Sequence, residues 1–400
     1  MSNTSSNWAG VAFGLSLSFL AAYQLFKLPP VLPVLLETYG YDRTLAGGFM
    51  SVYAVAGLGL SVWLGRLLER RGIAGPVLAA LLLMMAGNGL ALLRPESGWL
   101  LLAARALEGA AFAVLAIAGP LLANRETSAR QLPLVIGLTA AWIPAGQLTA
   151  SLLAPLTLAT LGWRGLWLAG AGLTLALILW TLARQRRHAL VPVRRGRGVA
   201  VAPPPAPLDR RERIALWLVA TIFMLWSGQY FAYMTWLPLY LVEATGLSVS
   251  MAVAGYLVPV VVLLAFNLLT GALLRAGVPL GPLLLLALAS QAAVWWLQPA
   301  AAGLWSGLAA LIGYGIGAGI TPTCLFAMPS AVAGPGRAAR AFGIVMTGRN
   351  LGVLIGPILL AQAFERTETW SVSGPIFGTL TLVAVALAAA LALRLPARAG

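Results

Sequence analysis

The chain has 400 residues, of which 60% are hydrophobic and only 9% charged, with a formal net charge of +15. So little polar surface excludes an ordinary soluble domain and points to a protein that crosses a membrane many times. The positive excess lies mostly in gaps between apolar runs, which fits membrane-protein loops rather than a nucleic-acid partner.

Apolar runs long enough to cross a ~30 Å hydrocarbon core recur along the chain. None alternates with the period of a strand, so spanning helices are expected rather than a barrel. Hydropathy and helix breakers predict spans over residues 8–36, 44–68, 74–94, 98–123, 131–156 and 163–185. A second set follows over 213–241, 248–274, 279–298, 302–329, 338–364 and 370–395. The opening MSNTSSNWAG carries no basic region, so no cleaved signal peptide is expected. Between the sixth and seventh spans, RQRRHALVPVRRGRGVAVAPPPAPLDRRER (184–213) is rich in Arg and Pro and reads as a linker. The expected organisation is a six-helix bundle over 1–185, a linker over 186–212 and a second bundle over 213–400.

An even number of spans places both termini on one side. Of the 26 basic residues, nineteen fall in the gaps on that side or at the span ends bordering them, four on the other side, and three well inside spans. The positive-inside rule therefore predicts cytoplasmic termini.

The two halves resemble each other. PVLLETYGY (33–41) closes the first span and PLYLVEATGL (238–247) the seventh, each with Pro, then Glu, then Gly three residues after the Glu. GLTAAWIPAG (137–146) matches GIVMTGRNLG (343–352), with glycines nine apart in each. GRLLERRG (65–72) is echoed by GALLRAG (271–277). Internal six-helix repeats of this kind build transporters with a central site between the halves.

At GRLLERRG the sequence resembles the major facilitator superfamily, whose loop between spans two and three carries Gly-x-Leu-x-Asp-Arg-x-Gly. Gly65, Leu67, Glu69, Arg70 and Gly72 fill that pattern, with Glu in place of Asp, and the usual basic pair after it is replaced by Ile73 and Ala74. RALEGA (105–110) is similar to the family's Arg-x-x-x-Gly in span four, and GWRGLW (162–167) to the turn before span six. The resemblance implies an all-α membrane protein of twelve transmembrane helices in two pseudo-symmetric bundles, working by alternating access. It also implies a gating role for Gly65, Glu69, Arg70 and Gly72, and residence in a bacterial inner membrane. Within the family, the Pro-rich first span looks most like anion carriers of the cyanate-transporter type.

Four charges lie inside spans. Lys27, the only lysine, is ten residues from Glu37, which places it about 15 Å from that end of the helix. Pro29 and Pro30 follow it and free backbone carbonyls around it. Span one offers no carboxylate beside it, so a substrate contact is expected over a structural pair; the repeat puts Tyr233 at the matching position. Arg105 and Glu108, three apart on one helix, are placed to pair. Glu108 is also the one carboxylate well inside a span, and hence the candidate proton carrier, with Arg105 as the partner that a substrate would take from it. Arg349 in TGRNLG either binds substrate or pairs across the bundle; the neighbouring glycines permit close helix packing, and Asn350 can bond between helices. Three cations against one anion leave a surplus that an anionic substrate would complete. WSGQYFAYMTWLP (226–238) puts Trp226, Tyr230 and Tyr233 on one face of span seven with Gln229 nearby, while Tyr23 and Gln24 occupy a comparable region of span one. These residues read either as a cavity wall or as interhelix packing.

Other chemistries lack their residues. One cysteine, Cys324, excludes an internal disulfide and any cysteine-cluster metal site. His188 is the only histidine and sits in the linker, and no Gly-rich Lys-Ser/Thr phosphate loop occurs. The glycines of GYGIGAGITP (313–322) have helix-packing spacing. The expectation is a monomeric secondary transporter without enzymatic activity, metal or cofactor, surrounded by membrane lipid. It would move an organic or small inorganic anion, with protons as a candidate co-substrate. The competing readings are a proton-driven exporter of drugs or siderophore-like anions and, more remotely, a non-transporting scaffold or receptor.

Overall fold

A computed structural model describes residues 6–59, 73–128, 130–186, 207–298, 303–333 and 337–392. In the first half the helices are α1 (Trp8–Phe26), α2 (Leu32–Tyr39), α3 (Arg43–Ser51), α4 (Ala74–Leu93), α5 (Gly98–Arg125), α6 (Leu132–Ala140), α7 (Trp142–Thr160) and α8 (Arg164–Arg186). The second half holds α9 (Arg210–Glu243), α10 (Val249–Arg275), α11 (Leu280–Leu297), α12 (Leu304–Ala333), α13 (Ala338–Thr367) and α14 (Ser373–Ala392).

Among the described residues ten helices are long and apolar enough to cross a membrane, counting α1 to α2 as one. The expected count of twelve is therefore not reproduced, and the two shortfalls have separate reasons. The expected span two (44–68) includes residues 60–68, which lie outside the described residues. Span five is divided at Ala141 into α6 and α7, and α7 carries Pro144, Gln147, Thr149, Ser151, Pro155 and Thr157, a polar load for a spanning helix.

Helix starts follow local chemistry. The side chains of Asn7, Asp42, Ser97 and Ser248 accept from backbone N–H groups of the first turns they precede, and Asp209 with Glu212 forms a capping box. The repeated Pro-Glu-Gly pattern also has a backbone reason. Gly40 ends α2 at φ 62°, and Gly246, its counterpart after α9, stands at φ 69°. Both are left-handed positions that favour glycine.

Packing follows the repeat as well. Within the first half, α1 lies against α7, and α4 against α5 and α8; the second half repeats these contacts, with α9 against α13, and α11 against α12 and α14. Two seams join the halves: α3 on α13, and α7 on α10. Exchanging the halves turns one seam, spans two and eleven, into the other, spans eight and five, as a pseudo-twofold requires.

The closest helix pair is α9 with α13. A Cβ on Gly348, Gly352 or Gly356 would come within 2.0–2.2 Å of the carbonyl oxygens of Ala220, Met224 and Gly228, respectively. Glycine every fourth residue lets the backbones meet, the usual way of packing helices where lipid supplies no hydrophobic drive. The sequence expectation of close packing around Arg349 is met. Gly317 and Gly319 of α12 likewise sit against Gln291 and the Leu263 carbonyl. Gly352→Leu is expected to destabilise the detergent-solubilised protein by at least ~1–3 kcal/mol, seen as a lowered thermal transition. Gly343→Ala, with nothing within 4 Å of the added carbon, should leave that transition in place.

Candidate functional site

The centre of the first half is built on a broken helix. The last α-type bond of α1 runs from the Lys27 N–H to the Tyr23 carbonyl at 2.9 Å, and a 3-10 turn at Pro29–Val31 follows. Pro29 has no N–H to offer the Leu25 carbonyl. In hydrocarbon such a carbonyl costs several kcal/mol unless another donor reaches it.

Arg105 of α5 is that donor. Its Nη2 bonds the Leu25 carbonyl at 2.9 Å and its Nη1 the Gln24 carbonyl at 2.8 Å. Nε reaches the Phe49 carbonyl of α3 at 3.0 Å, so one guanidinium ties three helices together. Nη1 also bonds Tyr53 Oη at 3.0 Å and Glu108 Oε2 at 2.8 Å, the i,i+3 pair expected from the sequence.

Glu108 is shared. Its Oε2 also accepts from Tyr53 Oη at 2.7 Å, while its Oε1 accepts from Lys27 Nζ at 2.8 Å. Lys27 gives its other two N–H groups to Gln24 Oε1 at 2.5 Å and Asn88 Oδ1 at 2.8 Å, and its ammonium lies 4.5 Å from the centre of the Trp167 ring. All three charged side chains are fully buried. Span one carries no acid beside Lys27, which favours a substrate contact over a structural pair; the structure corrects that expectation and supplies the pair from α5, 81 residues away. An ammonium has three donors, and all three are occupied.

The other expected residues of span one serve the same frame. Tyr23 donates to the Leu166 carbonyl at 2.8 Å, and Gln24 Nε2 to Thr174 Oγ1 at 3.2 Å.

In the second half Arg349 stands differently. It is only 7% exposed. Among the described residues its side chain makes one hydrogen bond, from Nη1 to Asn350 Oδ1 at 3.0 Å. No carboxylate lies within ion-pair distance of it there. Its guanidinium is 5.4 Å from the Phe231 ring, and Phe231 stacks at 5.8 Å on Phe26 of the first half. Arg349 therefore lies beside the interface between the halves.

Span seven does not present one uniform face. Trp226 stacks on Tyr230 at 5.0 Å, and Tyr230 Oη donates to Gln147 Oε1 across the interface at 2.7 Å. Tyr233 instead packs edge-on against Trp295 and Tyr314 of the second half, at 4.9 and 4.5 Å. Gln229 accepts from Thr381 Oγ1 at 2.7 Å, and its buried Nε2 has no partner among the described residues.

Comparison with protein families matches residues 14–357 to the Major Facilitator Superfamily. The chain belongs to that superfamily. It is accordingly a multi-pass membrane transporter, and the all-helical architecture agrees. Comparison with curated proteins gives no match.

The facilitator's halves are latched at one end. Arg43, at the start of α3, makes a two-pronged ion pair with Glu243 at 2.9 and 3.2 Å and lies 4.1 Å from the Phe364 ring. Glu365 accepts from both the backbone N–H and the hydroxyl of Thr44, at 3.0 and 2.8 Å, so the second half caps a helix start of the first. Trp370 Nε1 donates to Glu243 at 2.9 Å. A cavity of about 450 Å³, lined in part by Glu37, Tyr41, Arg43 and Glu243, opens beside the latch. At the opposite end the pairs Arg184–Glu126 (3.6 Å) and Arg337–Glu212 (2.5 Å) stay within their own halves. Gly65, Glu69, Arg70 and Gly72, expected to gate that end, lie outside the described residues.

Sequence reasoning missed Asn88, Tyr53, Trp167, Gln147 and the latch. Asn88 was detectable as a lone amide in an apolar run, and Gln147 likewise.

The triad's energetics are testable by pairwise substitution. Glu108→Gln leaves two buried cations facing each other and is expected to cost ~3–5 kcal/mol. Lys27→Met should cost less, because Glu108 keeps Arg105 and Tyr53. In the double variant the penalty should fall below the sum of the singles. Thermal unfolding in detergent checks all three, and strict additivity would deny the coupling.

Proposed function

We propose that this facilitator carries an anion, organic or small inorganic, by alternating access between its two halves. The observation that carries the reading is Arg349: a buried arginine beside the interhalf interface, with no carboxylate partner among the described residues. An intramembrane cation is expensive to leave uncompensated and marks a substrate path by default. Its planar fork suits a carboxylate or similar oxyanion.

Lys27, Arg105, Gln24 and Tyr23 act as the frame behind this site, because their donors are already engaged. Tyr230, held to Gln147 across the interface, reports the relative position of the halves. Glu108 is the candidate proton site: it is shared by Lys27 and Arg105, and protonating it would loosen both. The latch at Arg43, Glu243 and Glu365 closes the side away from the termini. We assign that side to the exterior, with both termini cytoplasmic in a bacterial inner membrane, on the arginine distribution.

The test is a flux panel on purified protein in liposomes, covering anions, neutral metabolites and cationic drugs. The expected result is protein-dependent movement of at least one anion, abolished by Arg349→Gln. Movement of cationic or neutral drugs alone, equal in the variant, would instead support the exporter reading.

A further inference from the structure

Resting on the anion reading, the internal charge and ring geometry narrow the substrate. Lys27 has each N–H occupied, and every nitrogen of the Arg105 guanidinium bonds a carbonyl, Tyr53 or Glu108. Of the intramembrane cations, Arg349 is the one with no carboxylate partner and a single side-chain hydrogen bond among the described residues. A single guanidinium matches one carboxylate through two parallel hydrogen bonds. The Lys27–Arg105–Glu108 cluster keeps one net positive charge but directs its hydrogen bonds inward, so the second carboxylate of a dianion would find no second unpaired guanidinium among the described residues to bind it.

Beside Arg349 the interface is aromatic. Phe26, from the first half, lies 5.8 Å from Phe231 with planes 23° apart, and 6.5 Å from Tyr230 in an edge-on arrangement. Trp226 extends the row, stacked on Tyr230 at 5.0 Å with planes 12° apart, and its buried Nε1 has no partner among the described residues. Phe26 belongs to one half; Phe231, Tyr230 and Trp226 belong to the other. This ring contact is the one that must part when the halves separate. A flat ring inserted there regains the lost aromatic contact, which a saturated ring of similar size recovers only in part.

We infer that the substrate is a planar monoanion of the aryl-carboxylate class, its carboxylate on Arg349 and its ring taking the place of Phe26 against Phe231 and Tyr230. The Trp226 N–H is available to a polar substituent on that ring.

The experiment measures equilibrium binding to the full-length protein in detergent with four probes: benzoate, cyclohexanecarboxylate, acetate and phthalate. Benzoate is expected to bind tightest, roughly 2- to 10-fold ahead of cyclohexanecarboxylate, with acetate and the dianion phthalate weaker still. Arg349→Gln should weaken benzoate roughly 10- to 100-fold. Phe231→Leu should erase the preference for benzoate over cyclohexanecarboxylate while still binding both, so a folding failure is not mistaken for the effect. If acetate or phthalate binds best, or Phe231→Leu keeps the preference, the aryl inference fails and the anion reading stands. If no anion binds, both fail.

Discussion

The structure depends on the capping of a broken transmembrane helix by Arg105. Pro29 and Pro30 interrupt the first span within a fully buried stretch, where an unpaired carbonyl costs several kcal/mol. Arg105 takes the Gln24 and Leu25 carbonyls at 2.8 and 2.9 Å and adds the Phe49 carbonyl. A buried guanidinium in turn requires an anion, which fixes Glu108 one turn along α5. Glu108 has a second oxygen to satisfy, and Lys27 fills it. Each charge is thus explained by the one before it, and the series begins with two prolines.

This chain of necessity divides the interior charges into two kinds. Lys27, Arg105 and Glu108 form a closed set, with partners supplied by α1, α3, α4 and α5. Arg349 belongs to an open set: glycines at 348, 352 and 356 draw α13 onto α9, and the arginine between them reaches the interface with one side-chain hydrogen bond made among the described residues. The fold places the open cation where the halves part and the closed set behind it. The Arg43–Glu243 latch at one end gives the halves a defined closed arrangement.

Much of this was legible in the sequence because membrane constraints act locally. Ten of the spans, the Pro-Pro break, the Arg105–Glu108 pair and the close packing around Arg349 follow from residue spacing within one helix, and the repeat from matching segments in the two halves. The Lys27–Glu108 pair did not, since a search for an acid on the same span cannot find one 81 residues away. The latch was missed for the same reason: Arg43 and Glu243 are 200 residues apart and each looks like an ordinary loop charge. Span seven misled in another way. Spacing places Tyr230 and Tyr233 on one stripe, yet Tyr230 crosses to Gln147 while Tyr233 turns into Trp295 and Tyr314. Helical periodicity ranks directions but does not say which neighbour occupies each.

The central claim is that the donors of Lys27 are all taken up internally and that Arg349 alone faces the substrate. It is tested most directly by measuring anion affinity for the Lys27→Met/Glu108→Gln double variant beside Arg349→Gln. Removing Lys27 together with its own counter-charge should leave affinity close to that of the unaltered protein, whereas Arg349→Gln should lose it. Loss of binding in the double variant, with Arg349→Gln unaffected, would make Lys27 the substrate cation and contradict the account.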